Sequence, residues 1–133
     1  MKAAVFALAL ALIAAPSAFA DEEACAENQA AGVNKLVAPV VAEEGRLAGY
    51  AFVTPRVCLA RGYSALDFRE REHFLMDAMV RAVQHSPFRL LPDDSVDRSD
   101  AEAAFRTALA QVYSPGQVTA IGLEGDDIRL MRP

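Results

Sequence analysis

Phe68, Leu75, Met79 and Ala82 recur at the spacing that lines up one face of an α-helix, with Met76, Val80 and Val83 beside them. Glu70, Arg71, Asp77 and Arg81 fall on the opposite side, toward water. A helix with a one-sided apolar stripe gains most of its stability from what covers that stripe. This long helix is predicted to run from Ala65 to Gln84. Ser64-x-x-Asp67 places an N-cap at its start, and Ser86-Pro87 stops it.

The covering surface has to come from the flanking segments, and these are rich in strand formers. Leu36 to Ala42 is a short apolar run containing Pro39, which cannot donate to a ladder and so points to an edge strand. Glu43 to Arg46 reads as a turn. Leu47 to Leu59 is the strongest strand signal, with Pro55 splitting or bulging it. The two runs together read as a hairpin.

Beyond the long helix, Phe88 to Leu91 reads as an apolar link and Pro92 to Arg98 as an acidic loop. Ser99-x-x-Glu102 matches the capping box and opens a second helix over about 100–113. Its stripe is Ala101, Phe105, Ala108, Leu109 and Val112, and Ser114-Pro115-Gly116 ends it. Val118 to Leu123 reads as a strand, Glu124 to Asp127 as a turn and Ile128 to Met131 as a last strand. Grouped strands with two amphipathic helices predict an α+β fold. The expected architecture is an antiparallel sheet of about four strands with both helices on one face.

Residues 1–20 carry a different signal. Lys2 is a short positive region, Ala3 to Ala15 is unbroken apolar sequence, and Ala18-Phe19-Ala20 is an A-x-A processing site. This is the order of a cleavable signal peptide, and the run falls short of the roughly 20 apolar residues of a membrane span. Cleavage near Ala20 predicts a periplasmic or secreted protein with no membrane span in the mature chain. Residues 21–34 then form a lead-in, and 35–133 a single domain.

Removal of Lys2 with the leader leaves 12 basic residues against 18 acidic ones, a formal charge of −6. That balance argues against nucleic acid and anionic lipid as partners, since both reward clustered Lys and Arg. Export also changes the meaning of the two cysteines. In an oxidising compartment the pair Cys25 and Cys58 is expected to form a structural disulfide tying the lead-in to the first sheet. Closing a loop of this size is worth roughly 3–4 kcal/mol in the chain-entropy model. No C-x-x-C pair is present to support a redox role.

The residue types that carry catalysis are scattered. His73 and His85 are twelve positions apart on the predicted long helix, about 18 Å along its axis, too far to share a metal. Neither has a partner four residues away, as a helical zinc site requires. Asp93, Ser95, Asp97 and Ser99 alternate like the ligands of a calcium loop, but Arg98 stands where a turn glycine is needed and Ala104 where a bidentate Glu is needed. Ser64 is a helix cap, Ser86 and Ser114 adjoin prolines, and neither G-x-S-x-G nor a glycine-rich phosphate loop occurs. No catalytic, cofactor-binding or metal-ligating residue is therefore expected. Met76 and Met79 with Phe68 and Phe74 fit either a partner-facing patch or a buried stripe, and the spacing favours the stripe.

Arg46 to Val53, then Met76-Asp77-Ala78-Met79-Val80, then Ala103 to Val112, then Val118 to Leu123 follow one another in an order that resembles the periplasmic domain of the flagellar basal-body protein FliL family. The resemblance covers about Lys35 to Met131. It implies a non-enzymatic protein that oligomerises or supports a membrane complex, and it carries over no catalytic residue. The expected function is that of a non-catalytic periplasmic accessory protein contacting a periplasmic or envelope partner, with self-association as a further implication. The alternatives are a small secreted hydrolase or sugar-modifying enzyme, and a redox or metal carrier. A concave pocket joining His73 or His85 to acidic residues favours the hydrolase.

Overall fold

The computed structural model describes Cys25, Ala26 and residues 29–131; the leader expected over residues 1–20 lies outside the described residues. Six strands and two helices follow in the order β1 (Ala30–Gly32), β2 (Leu36–Val41), β3 (Leu47–Leu59), α1 (Ala65–His85), β4 (Phe88–Leu90), β5 (Val96–Asp97), α2 (Ser99–Val112) and β6 (Val118–Leu130).

The α+β class is as expected, but the sheet is mixed and larger than expected. β3 is its centre. Along one edge it pairs antiparallel with β1 and then β2, and along the other with β6. β4 pairs parallel to β2, and β5 antiparallel to β4. The parallel pairing follows from the length of α1. Its 21 residues span about 32 Å, enough to carry the chain back along the sheet. β4 then enters beside the end of β2 with no further reversal. The apolar link at 88–91 is thus a strand, and the acidic loop contains another.

Two prolines mark breaks in the ladders. The parallel pairing reaches only Val40 and Val41 of β2, so Pro39 lies outside it and β2 is not a full edge strand. Pro55 leaves β3 whole. Its carbonyl accepts from the Val33 N–H at 2.9 Å, in the gap between β1 and β2, so its missing N–H faces a stretch with no ladder.

β6 is continuous where a strand, a turn and a strand were expected. A 13-residue β3 needs an equally long partner. The extra residues are absorbed by two register shifts, between the pairs Val57↔Ala120 and Arg56↔Gly122 and between Thr54↔Glu124 and Phe52↔Asp127. Gly125 sits at the second with φ 127°, a backbone setting that favours glycine.

Both helices cover the face carrying Leu36, Ala38, Val40, Ala51, Val53 and Val57, all buried. Phe68, Leu75, Met79 and Val83 of α1 and Ala101, Phe105, Ala108 and Leu109 of α2 close the core from above. Ser64 caps α1 as expected, accepting from the Asp67 N–H at 3.0 Å. The cap of α2 differs. Arg98 holds the N-cap position without a side-chain cap bond, since a guanidinium only donates and a cap must accept; it donates to the carbonyls of Leu123 and Gly125 on β6. The Asp97 carboxylate takes the Ser99 N–H at 2.9 Å and its hydroxyl at 2.7 Å. Cys25 and Cys58 are bonded, with 5.8 Å between their Cα atoms, so the lead-in is tied to the C-terminal end of β3.

Candidate functional site

Among the described residues, no helix covers the second face of the sheet. On β2 and β3 the register pairs Val37 with Phe52 and Pro39 with Tyr50, so four apolar side chains adjoin on that face. Val37 is 51% exposed and Tyr50 40% exposed. Arg129 of β6 lies over the Phe52 ring, 4.9 Å from its centroid, and its guanidinium also pairs with Asp127 at 3.4 Å. Farther along, Arg56 pairs with Glu124 at 2.9 Å. The patch is therefore an apolar centre with an ion-paired border, the arrangement found where one protein meets another.

A second concavity lies between the helices. A groove of about 550 Å³ has a floor of small residues, Ala78, Ala82, Ala104 and Ala108, and polar walls that include Arg81 and Gln111. His85, Ser86 and Asp100 line both this groove and an adjoining cavity of about 390 Å³ that also reaches Arg89 and Asp97. The polar groups here already have partners. His85 Nδ1 is 2.9 Å from the Arg81 carbonyl. Asp100 pairs with Arg89 at 3.2 Å, and Arg81 with Asp77 at 2.5 Å. Hydrogen bonds from the Ser99 backbone and then its hydroxyl hold the Asp97 carboxyl below the usual carboxylate range.

The remaining candidates are dispersed. His73 is exposed on α1, beside the Phe74 ring at 4.0 Å. Asp93 accepts from the Ser95 hydroxyl at 2.5 Å and N–H at 3.1 Å, and these bonds lower its pKa. The carboxylates of the calcium-like loop thus close turns on themselves. Among the described residues, no group of three or more His, Cys, Asp or Glu is placed to hold a metal. Phe68 and Met79 are core residues, whereas Phe74 is 55% exposed, so that quartet is divided between the core and the surface.

Glu72 is a residue that periodicity alone passes over. It is only 9% exposed, held by Arg69 at 2.6 Å, while Arg69 also donates to the Gly32 carbonyl at 3.2 Å. The ion pair thus ties α1 to β1. The available signal was its spacing: Glu72 stands four residues after Phe68, on the apolar stripe. Nearby, Tyr113 donates its hydroxyl to the Phe68 carbonyl at 2.8 Å and stacks on the Phe68 ring at 5.3 Å. Burial pushes its phenol up to about 12.

No helix among the described residues is long and apolar enough to cross a membrane. No family model, curated protein or solved structure matches the chain.

Proposed function

We propose that this chain is an exported, non-catalytic binding protein that contacts a periplasmic or envelope partner through the uncovered face of its sheet. The observation that carries this reading is the contiguous patch of Val37, Pro39, Tyr50 and Phe52, apolar and accessible on an acidic protein. A surface of that kind costs solubility unless something covers it in use. Support of an envelope or flagellar complex, in the manner of the FliL family, is one form of this reading.

The test is the paired substitution Val37→Asp and Tyr50→Asp in the cell that makes the protein. Both side chains are exposed, so the fold and melting temperature are expected to stay near those of the parent while the phenotype of the gene is lost. Full function from a folded double variant sinks the reading.

One observation favours the hydrolase alternative: a concave cavity joins His85 to Asp97 and Asp100. With Nδ1 donating to the Arg81 carbonyl, Nε2 is the ring nitrogen left to act as a base. The existing partners of both carboxylates place this reading second. Alanine at His85 decides between the two, because the binding reading requires that His85→Ala leave the phenotype intact.

A further inference from the structure

Residues 25–32 are held to the domain by unequal means. Between Cys25 and Val33 the sequence is Ala-Glu-Asn-Gln-Ala-Ala-Gly, with no large apolar side chain to bury. Ordering each residue costs backbone entropy, and alanine and glycine offset little of it through burial. Ala30, Ala31 and Gly32 are each half-buried. Val33 marks the change. It is 4% exposed and belongs to the core, and its N–H donates to the Pro55 carbonyl at 2.9 Å. Arg69 adds a side-chain bond at this boundary, to the Gly32 carbonyl at 3.2 Å. Ahead of the boundary the main tie is the covalent bond from Cys25 to Cys58.

The ladder shows what this segment covers. The Leu59 N–H donates to the Gln29 carbonyl at 2.8 Å, which makes these two a hydrogen-bonded pair. In an antiparallel ladder such pairs recur at every second residue. With Ala30 opposite Cys58 and Ala31 opposite Val57, the next such pair is Ala31 and Val57, and the bond between Val33 and Pro55 follows it. Cys58, between them, turns its backbone groups to Thr119 on β6.

Side chains alternate as well. Val57 and Leu59 are buried in the core, whereas Cys58 is half-buried and shares the second face of the sheet with Tyr50 and Phe52. Its cross-strand neighbours, Ala30 and Thr119, are small. Cys25 is 6% exposed and Cys58 more so, which leaves the Cys58 sulfur as the one open to attack.

We propose that the Cys25–Cys58 bond is a redox latch: a dithiol reductant opens it and releases residues 25–32 from β3 as a unit, while the domain from Val33 onward stays folded. One thiolate of the reductant attacks Cys58 Sγ, the bond between the two cysteines breaks, and Cys25 leaves as a thiolate. The reductant's second thiol then displaces Cys58 and closes the reductant's own disulfide. Two electrons and two protons pass to the chain, which ends with two thiols. Release uncovers the main-chain groups of Val57 and Leu59 and frees the Cys58 thiol at one end of the sheet face. The latch is a property of the fold, so it stands or falls apart from the partner-binding reading.

The test is native-state hydrogen exchange of the full chain in low urea, with and without dithiothreitol as the dithiol. After reduction, the Ala31, Val57 and Leu59 amides are expected to exchange about tenfold or more faster than those of Val33 and Cys58, and without dependence on urea. Val33 and Cys58 keep their partners on Pro55 and Thr119, so they are expected to open only with the domain and to respond to urea. Reoxidation is expected to restore a single class. The double change Cys25→Ala/Cys58→Ala is expected to show the same split with no reductant. One common rate and urea dependence for all five amides after reduction overturns the latch, because the bond then secures the domain as a whole. A bond that dithiothreitol opens only once urea has unfolded the chain overturns it too, as does a double variant that does not fold.

Discussion

At the scale of single residues, the best-defined polar contact in the core is the Tyr113 hydroxyl on the Phe68 carbonyl. Tyr113→Phe keeps the ring stack and removes only the hydrogen bond, so a loss of about 0.5–1.5 kcal/mol is expected in denaturant melts. The same residue sets a pH dependence. Its folded pKa, about 12, lies above the ordinary value of 10.0, so its contribution is complete below pH 10 and is lost as pH rises from 10 toward 12. The parent is therefore expected to lose stability across that window faster than Tyr113→Phe, and parallel curves contradict the assignment. Glu72 shows where single residues were hard to read. A glutamate on an apolar stripe looks like an interruption until Arg69 and the Gly32 carbonyl are brought beside it, and that happens only in three dimensions.

At the scale of elements, what could be read in advance was what has a period. Both helices follow from their stripes, the Ser64 cap from local chemistry, and the Leu47–Leu59 strand from its run of β-formers. β4 and β5, at three and two residues, are too short to carry a period and exist because a neighbouring strand bonds them. The join in β6 was hidden for a related reason. Glu124-Gly125-Asp126-Asp127 has turn composition, yet β3 beside it converts the would-be turn into a register shift. The uncovered face was hidden because β2 and β3 are apolar at both parities, which blurs the alternation that separates inside from outside. One position tests the closeness of the β3–β6 pairing. A Cβ at Gly49 would collide with the Arg129 carbonyl oxygen and come within 2.8 Å of the Leu130 Cα. Gly49→Ala is expected to cost about 1–3 kcal/mol and to loosen the Ile128–Leu130 end in hydrogen exchange. A neutral melt there means the strands can part without loss.

At the scale of the molecule, a two-layer domain is fastened at Cys25, ahead of its first strand, by one covalent bond. Cys25 and Cys58 are 33 residues apart, so reduction or a Cys25→Ala/Cys58→Ala double change is expected to lower stability by roughly 3–4 kcal/mol. An unchanged midpoint in denaturant with and without reductant shows that the lead-in adds nothing to the fold. Helices on one face and an accessible apolar patch on the other give the molecule its sidedness, and the proposed function depends on that sidedness. The measurement that reaches this claim most directly is photocrosslinking in living cells, with Tyr50 replaced by a light-activated phenylalanine analogue and Gln84, exposed on α1, replaced likewise as the control. The account predicts one discrete adduct with an envelope protein from position 50 and none from position 84. A functional protein that forms no adduct at position 50, or the same adducts from both positions, contradicts it.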